Sequence, residues 1–177
     1  MKKEKLTQGL VQVYTGNGKG KTTAAFGLAL RASGAGLRVF IMQFIKKHKC
    51  SEHKALERLS DLITIEQSGR GFILNRKPNA ADIEAAQQGL NSVKKIILSR
   101  NYDLIILDEA NVAVNRGLIS LEDLIEVMNM KPLNTELVIT GRYADEKVIA
   151  RADLVTEMKE LKHYAGKGIK ARVGIEK

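Results

Sequence analysis

The 177-residue sequence holds one cysteine, two prolines and no tryptophan, and only 5% of its residues are aromatic. A lone Cys50 excludes an internal disulfide framework and any zinc site built on two or more thiolates. His48 and His53 flank it, but no carboxylates stand at matching spacing, so Lys46-Lys47-His48-Lys49 reads as a solvated basic loop rather than a metal site. No apolar run approaches the ~20 residues a membrane helix needs. The basic start, Met1 to Thr7, lacks the apolar stretch of a secretory signal. There is no Pro/Gly-rich linker, repeat or low-complexity tract. Residues 1–177 therefore read as one domain, long enough to bury its own core, with 1–8 as a flexible start. What remains is a cytoplasmic enzyme or binding domain.

What the chain does have is positive charge. Its 29 Lys+Arg against 20 Asp+Glu give a net charge of +9, which implies an anionic partner: a nucleotide, a nucleic acid or a carboxylate-bearing small molecule. Short apolar runs alternate with helical patterns. Leu10–Tyr14, Leu37–Gln43, Leu62–Glu66, Asp103–Leu107, Glu136–Thr140 and Asp153–Met158 read as strands. Thr22–Ser33 reads as a helix. Ala80–Arg100 is another, on the stripe Ile83, Ala86, Leu90, Val93 and Ile97, with Asn79 and Asp82 at its start. A shorter helix follows Ser120 and stops before Pro132. Strands separated by helices run parallel, so the expected fold is α/β, a mostly parallel sheet with helices on both faces.

Directly after the first strand comes Gly16-Asn17-Gly18-Lys19-Gly20-Lys21-Thr22-Thr23, which opens a helix. Glycines let the backbone curl so that N–H groups face phosphate oxygens. The helix N-terminus and Lys21 add positive charge, and the Thr22 hydroxyl suits Mg²⁺. Thr15 occupies the place of the first glycine of the usual G-x-x-x-x-G-K-T pattern. A dinucleotide fold instead wants an acidic residue closing the second strand, which here ends at Gln43. The run Leu104-Ile105-Ile106-Leu107-Asp108-Glu109 delivers two carboxylates to the end of a buried strand, where a P-loop metal needs its acidic partner. A surface turn or helix cap is the alternative for that pair. Arg142, after Glu136–Thr140, is either an anion contact or a solvated loop residue. Gly69-Arg70-Gly71-Phe72 is either a binding loop or local packing, and Lys162-His163 carries no reading alone.

Taken together, Val13 to Lys46, Gly71-Phe72, Leu107-Asp108-Glu109, Val138–Arg142, Ala152–Met158, Lys162-His163 and Gly168–Glu176 resemble the ATP:corrinoid adenosyltransferases of the cobA/btuR/cobO type. The likeness spans Leu10 to Glu176. It implies a P-loop NTPase-like (RecA-like) fold and attack by the Co(I) of a reduced corrinoid on the 5′ carbon of ATP, with tripolyphosphate leaving. It further implies that Gly16, Asn17, Gly18, Lys19, Gly20, Lys21, Thr22 and Thr23 bind phosphates, with Arg31 and Arg142 as further nucleotide contacts. Lys21 and Glu109 would carry the catalysis, and Thr22 and Glu109, with Asp108 beside it, would serve Mg²⁺ (or Mn²⁺). Phe72 corresponds to an aromatic lying against the lower face of the corrin, with Leu74 filling apolar space nearby. A flavin or flavoprotein reductant and a homodimer come with the family, and neither membrane nor nucleic acid does.

Two departures stand out. Members commonly read Gly-Phe-Thr-Trp where this chain has Gly71-Phe72-Ile73-Leu74. The chain also starts close to its first strand, without the long N-terminal segment that covers the active site in some members, which predicts a more open pocket. The rival readings are a generic P-loop ATPase or small-molecule kinase, whose product would be ADP, and a RecA-like nucleic-acid binder. Scattered basic residues and scarce aromatics count against the second. A non-catalytic corrinoid-binding protein is the third.

Overall fold

The computed structural model describes residues 6–47, 49–71 and 76–176. Most of the expected flexible start, together with Phe72 and Leu74, lies outside that range. Six strands form one sheet: β1 (Val11–Thr15), β2 (Val39–Phe44), β3 (Ile63–Ser68), β4 (Leu104–Asp108), β5 (Glu136–Thr140) and β6 (Leu154–Glu157). Their spatial order is β3-β2-β4-β5-β1-β6, and every pairing is parallel. The strands fall within two residues of the sequence expectation at either end.

Two cores follow from the alternation of side chains along each strand. Phe40, Met42, Phe44, Ile105, Leu107, Leu137 and Ile139 face α3 (Ala80–Ser99), α4 (Ala110–Asn115) and α5 (Leu121–Met130). Val39, Ile41, Leu104, Ile106 and Val138 face α1 (Lys21–Gly34) and α2 (Ser51–Leu56). β2 and β4 are buried throughout because both faces are covered, which is why they read as unbroken apolar runs. α3 begins with a capping box: the Asp82 N–H donates to Asn79 Oδ1 at 3.0 Å, and the Asn79 N–H donates to Asp82 Oδ2 at 2.9 Å. Ser120 caps α5 by accepting from the Asp123 N–H at 3.0 Å. Among the described residues no helix is long and apolar enough to cross a membrane.

Three helices have no counterpart in the sequence reading: α2, α4 and α6 (Glu146–Arg151). Each has six residues, less than two turns, and so shows no helical stripe. In α4 the run Ala110-Asn111-Val112-Ala113-Val114-Asn115 even favours strand by composition. Burial of Ala110 and Ala113 against β5 outweighs that local preference.

Gly89, midway along α3, sits where a Cβ would fall 2.2 Å from the Ser68 Cβ of β3. Alanine is ordinarily better than glycine inside a helix by about 1 kcal/mol. Overpacking costs about 1–3 kcal/mol, so the clash decides the sign. Gly89→Ala is expected to lower the melting temperature followed by circular dichroism; a stabilised variant would contradict the close approach of α3 to β3.

Candidate active site

The glycine loop joins β1 to α1, with positive φ at Gly16 (90°) and Gly20 (115°). Its shape is set from behind by the chain leaving β6. The Gly18 N–H donates to the Met158 carbonyl at 2.7 Å. A Cβ on Gly16 or Gly18 would come within 2.4 or 2.7 Å of that same oxygen. Lys21, buried at the first position of α1, donates to the Gly16 and Gly18 carbonyl oxygens, both at 2.7 Å. Burial holds its ammonium below the ordinary lysine value, and the Glu109 carboxylate pulls the other way. The loop thus keeps a desolvated cation folded against its own backbone.

Asp108 is fully buried at the C-terminal end of β4 and accepts four hydrogen bonds. Oδ1 receives the hydroxyls of Thr22 and Thr140, each at 2.8 Å. Oδ2 receives the Gln43 amide at 2.8 Å and the Lys46 ammonium at 3.0 Å. The parallel register explains the meeting: Gln43 pairs with Asp108 on one side and with Gln67 on the other, and all three lie at the strands' C-terminal edge. Burial alone would depress the Lys46 ammonium, but the Asp108 carboxylate outweighs it and holds that ammonium above its usual value.

Lys46 therefore corrects the reading of 46–49 as a solvated loop: its side chain is 12% exposed and paired with Asp108. A buried carboxylate demands a counter-charge, and the chain bends sharply to supply one. Ile45, with φ 70°, centres a turn in which the Lys46 N–H donates back to the Phe44 carbonyl at 2.7 Å. That backbone is strained for a β-branched residue. Gly69 makes room for it, since a Cβ there would lie 2.1 Å from the Ile45 carbonyl carbon, and the Gly71 N–H donates to the Ile45 oxygen at 3.0 Å. The Gly-Arg-Gly run thus has a packing role beside whatever Phe72 does.

Glu109 caps α4 in a left-handed conformation, φ 62°, and its N–H donates to Thr140 Oγ1 at 3.0 Å. The side chain is thereby turned toward a cavity of about 720 Å³ bounded by the glycine loop, Lys46, Arg142 and the C-terminal segment. Among the described residues no hydrogen bond or ion pair engages its carboxylate. Burial, then repulsion from Asp108, pushes this acid above its ordinary value against the pull of Lys46, Lys21 and Arg142. The arrangement offers a cluster of positive groups for a polyanion and one free acidic oxygen pair lining the same cavity as Thr22. That donor set suits a hard divalent cation.

The fold brings together most of the residues singled out in the sequence. Asn17 through Thr23, Glu109 and Arg142 line the cavity, while Gly16 does not line it and packs against Met158. Asp108 touches Thr22 but is saturated by donors. Arg31 is exposed near the end of α1 beside Tyr14 and does not line the cavity. Gln43, Lys46 and Thr140 were not assigned roles from the sequence. Their signal is a polar residue closing, or just beyond, an otherwise apolar strand. His163 and Glu176 also line the cavity, and Lys19 donates to Glu176 Oε1 at 3.0 Å. One turn of α2 adds Glu52 to Cys50 and His53, with ligand atoms within 4.8 Å of one another, a carboxylate the linear spacing did not suggest. Both His53 ring nitrogens are already hydrogen-bonded, which leaves that group no free imidazole.

The chain is similar to known proteins along almost its whole length. The profile of the ATP:corrinoid adenosyltransferase BtuR/CobO/CobP family matches residues 7–176. A corrinoid adenosyltransferase of Pseudomonas aeruginosa is 34% identical over 170 residues, 96% of this chain and 84% of that protein. That of Escherichia coli (strain K12) is 34% identical, over 96% and 86% of the two chains. The corrinoid adenosyltransferase CobA of Salmonella typhimurium is 35% identical at the same coverage.

The raised Glu109 carboxyl has a consequence for stability. The folded protein holds this proton to higher pH than the unfolded chain, whose carboxyl titrates near 4.5. The stability of the neutral form is complete below that pH and is lost as pH rises through the raised value. Glu109→Gln stays neutral throughout. It is expected to be more stable than the wild type at neutral pH and to lose less stability above pH 4.5, read from urea unfolding curves across pH. Coincident curves for the two proteins would contradict the burial of this carboxyl.

Proposed function

The chain belongs to the ATP:corrinoid adenosyltransferase family, and on that premise we propose that it transfers the 5′-deoxyadenosyl group of ATP to the Co(I) of a reduced corrinoid. The cobalt electron pair forms the Co–C5′ bond while the C5′–O bond breaks, and that bond's electrons leave on tripolyphosphate. Cobalt is formally oxidised from +1 to +3 and no proton need move. The observation that supports this most directly is the pairing, across one cavity, of the desolvated Lys21 with the unpartnered Glu109.

A displacement of this kind calls for alignment and for neutralisation of charge on the leaving group. Lys21, released from the loop carbonyls, meets phosphate oxygens, and Lys19 and Arg142 add charge at the rim. The loop N–H groups and the start of α1 orient the chain of phosphates. Glu109 and Thr22 would hold Mg²⁺ (or Mn²⁺), with Asp108 fixing the Thr22 hydroxyl; the ion adds positive charge to the triphosphate when bound. The apolar stretch of the cavity, Phe26, Leu30 and Leu56, offers an apolar wall to a large non-polar ligand face. By the family resemblance Phe72 and Leu74, outside the described residues, would add to the proposed corrinoid contact. A reduced flavin or flavoprotein as electron donor, a homodimer and a cytoplasmic setting rest on the family pattern.

The free Glu109 carboxylate also suits the orientation of a water molecule, which favours ATP hydrolysis as the second reading. An anaerobic assay with chemically reduced cob(I)alamin, ATP and Mg²⁺ separates the two. The expected products are a light-sensitive adenosylated corrinoid and tripolyphosphate. Lys21→Ala should lower kcat/KM by about 10²-fold or more. ADP with an unmodified corrinoid would establish the hydrolase or kinase reading instead.

A further inference from the structure

Building on that reading of the site, we propose that His53 is a positioning residue: it locks the Gln43 amide, which in turn holds Asp108 and the Thr22 hydroxyl ready for the nucleotide and its divalent cation. His53 stands on α2, a helix absent from the glycine-loop and β4 motifs, and is 4% exposed. The Cys50 backbone N–H donates to its Nδ1 at 2.9 Å. Since a backbone N–H can only donate, Nδ1 carries no proton and the neutral ring bears its hydrogen on Nε2. Nε2 lies 2.6 Å from Gln43 Oε1, so the imidazole is the donor in that contact.

This contact decides which way the Gln43 amide faces. Its Oε1 accepts from His53 and, at 3.2 Å, from the Gln67 amide, while its Nε2 donates to Asp108 at 2.8 Å; the Gln67 nitrogen also lies 3.3 Å from His53 Nε2, a much longer contact than the 2.6 Å one that Nε2 makes with Gln43. Flipping the amide would set a carbonyl oxygen against the buried carboxylate and two donors against each other. Gln43 is wholly buried, so no water is at hand to repair either mismatch. The Phe26 ring packs edge-on to the imidazole, with centroids 6.4 Å apart and planes 79° apart, and keeps it in place. A chain of oriented donors thus runs from the start of α2 to Asp108, whose other oxygen holds Thr22. Groups bonded directly to metal-site residues, as Asp108 is to Thr22, typically change metal affinity or activity by about 10–100-fold when lost, and His53 acts on Asp108 through Gln43.

The test measures ATP binding by calorimetry in excess Mg²⁺ and in EDTA, together with ¹⁵N ring spectra of the wild-type histidines. His53→Leu is expected to weaken binding in Mg²⁺ by about 3- to 10-fold, the low end of the range for groups that orient metal ligands, and to leave binding in EDTA unchanged. His53→Gln, whose amide nitrogen can take the place of Nε2, should restore the Mg²⁺-dependent affinity. The ring spectrum should show His53 neutral with hydrogen on Nε2, a readout that needs no variant to fold. An Nδ1–H ring, unchanged Mg²⁺-dependent binding in His53→Leu, or equal impairment in His53→Gln would overturn the proposal. If no adenosylated corrinoid forms in any protein while the Mg²⁺-dependent loss in His53→Leu and its rescue persist, the positioning role stands and only the proposed reaction falls.

Discussion

A carboxylate with no access to water organises the active end of this protein. Asp108 collects donors from α1, β2, the turn after β2 and β5, through Thr22, Gln43, Lys46 and Thr140. Removing one partner from a buried charge of this kind typically costs about 3–5 kcal/mol. Three regions distant in sequence, α1, β2 with the turn that follows it, and β5, are therefore held in one place by a single residue's need for compensation. The strained turn at Ile45 is intelligible in the same terms, because it returns Lys46 to the carboxylate that burial would otherwise leave short of positive charge.

The second constraint comes from the far end of the chain. The segment leaving β6 lies against the glycine loop closely enough that only glycine fits at two positions, and its Met158 carbonyl takes the Gly18 N–H. Beyond it, Glu176 accepts from Lys19, Arg172 and the Tyr164 hydroxyl at the rim of the cavity. Lys21 meanwhile satisfies itself on loop carbonyls. Lys19 and Lys21 are thus occupied by acceptors of the protein's own, so on the proposed reading nucleotide binding would be an exchange of partners for these two cations rather than the filling of an open field.

Charge is divided within the cavity with some economy. Asp108 is spent on architecture, while Glu109, one residue later, is turned out by a left-handed backbone held by Thr140. Two adjacent carboxylates acquire different tasks because a strand ends between them: one side chain keeps the sheet's alternation and goes inward, and the next breaks it. The same edge of a parallel sheet gathers the C-terminal residues of neighbouring strands, which is why ligand chemistry collects there.

The glycine loop, the apolar strands and the Asp108-Glu109 pair were legible in the sequence because each is local: spacing and periodicity within a few residues carry them. The alternation of strands and helices likewise fixed a parallel α/β sheet, and the wider motif set fixed the family. Three short helices were not legible, since six residues show no periodicity and α4 is helical only through what it packs against. Nor were the partners of Asp108, which depend on strand order and register. Gln43, Gln67 and Asp108 stand side by side only because β3, β2 and β4 are neighbours in phase. His53 reaches them from α2 through its Nε2 contact with Gln43. The sequence by itself determined which chemical groups are present and where the glycine loop stands between its strand and its helix. Tertiary structure alone decided which of those groups are desolvated and paired, because burial and hydrogen-bond satisfaction are properties of the assembled sheet and not of any segment within it.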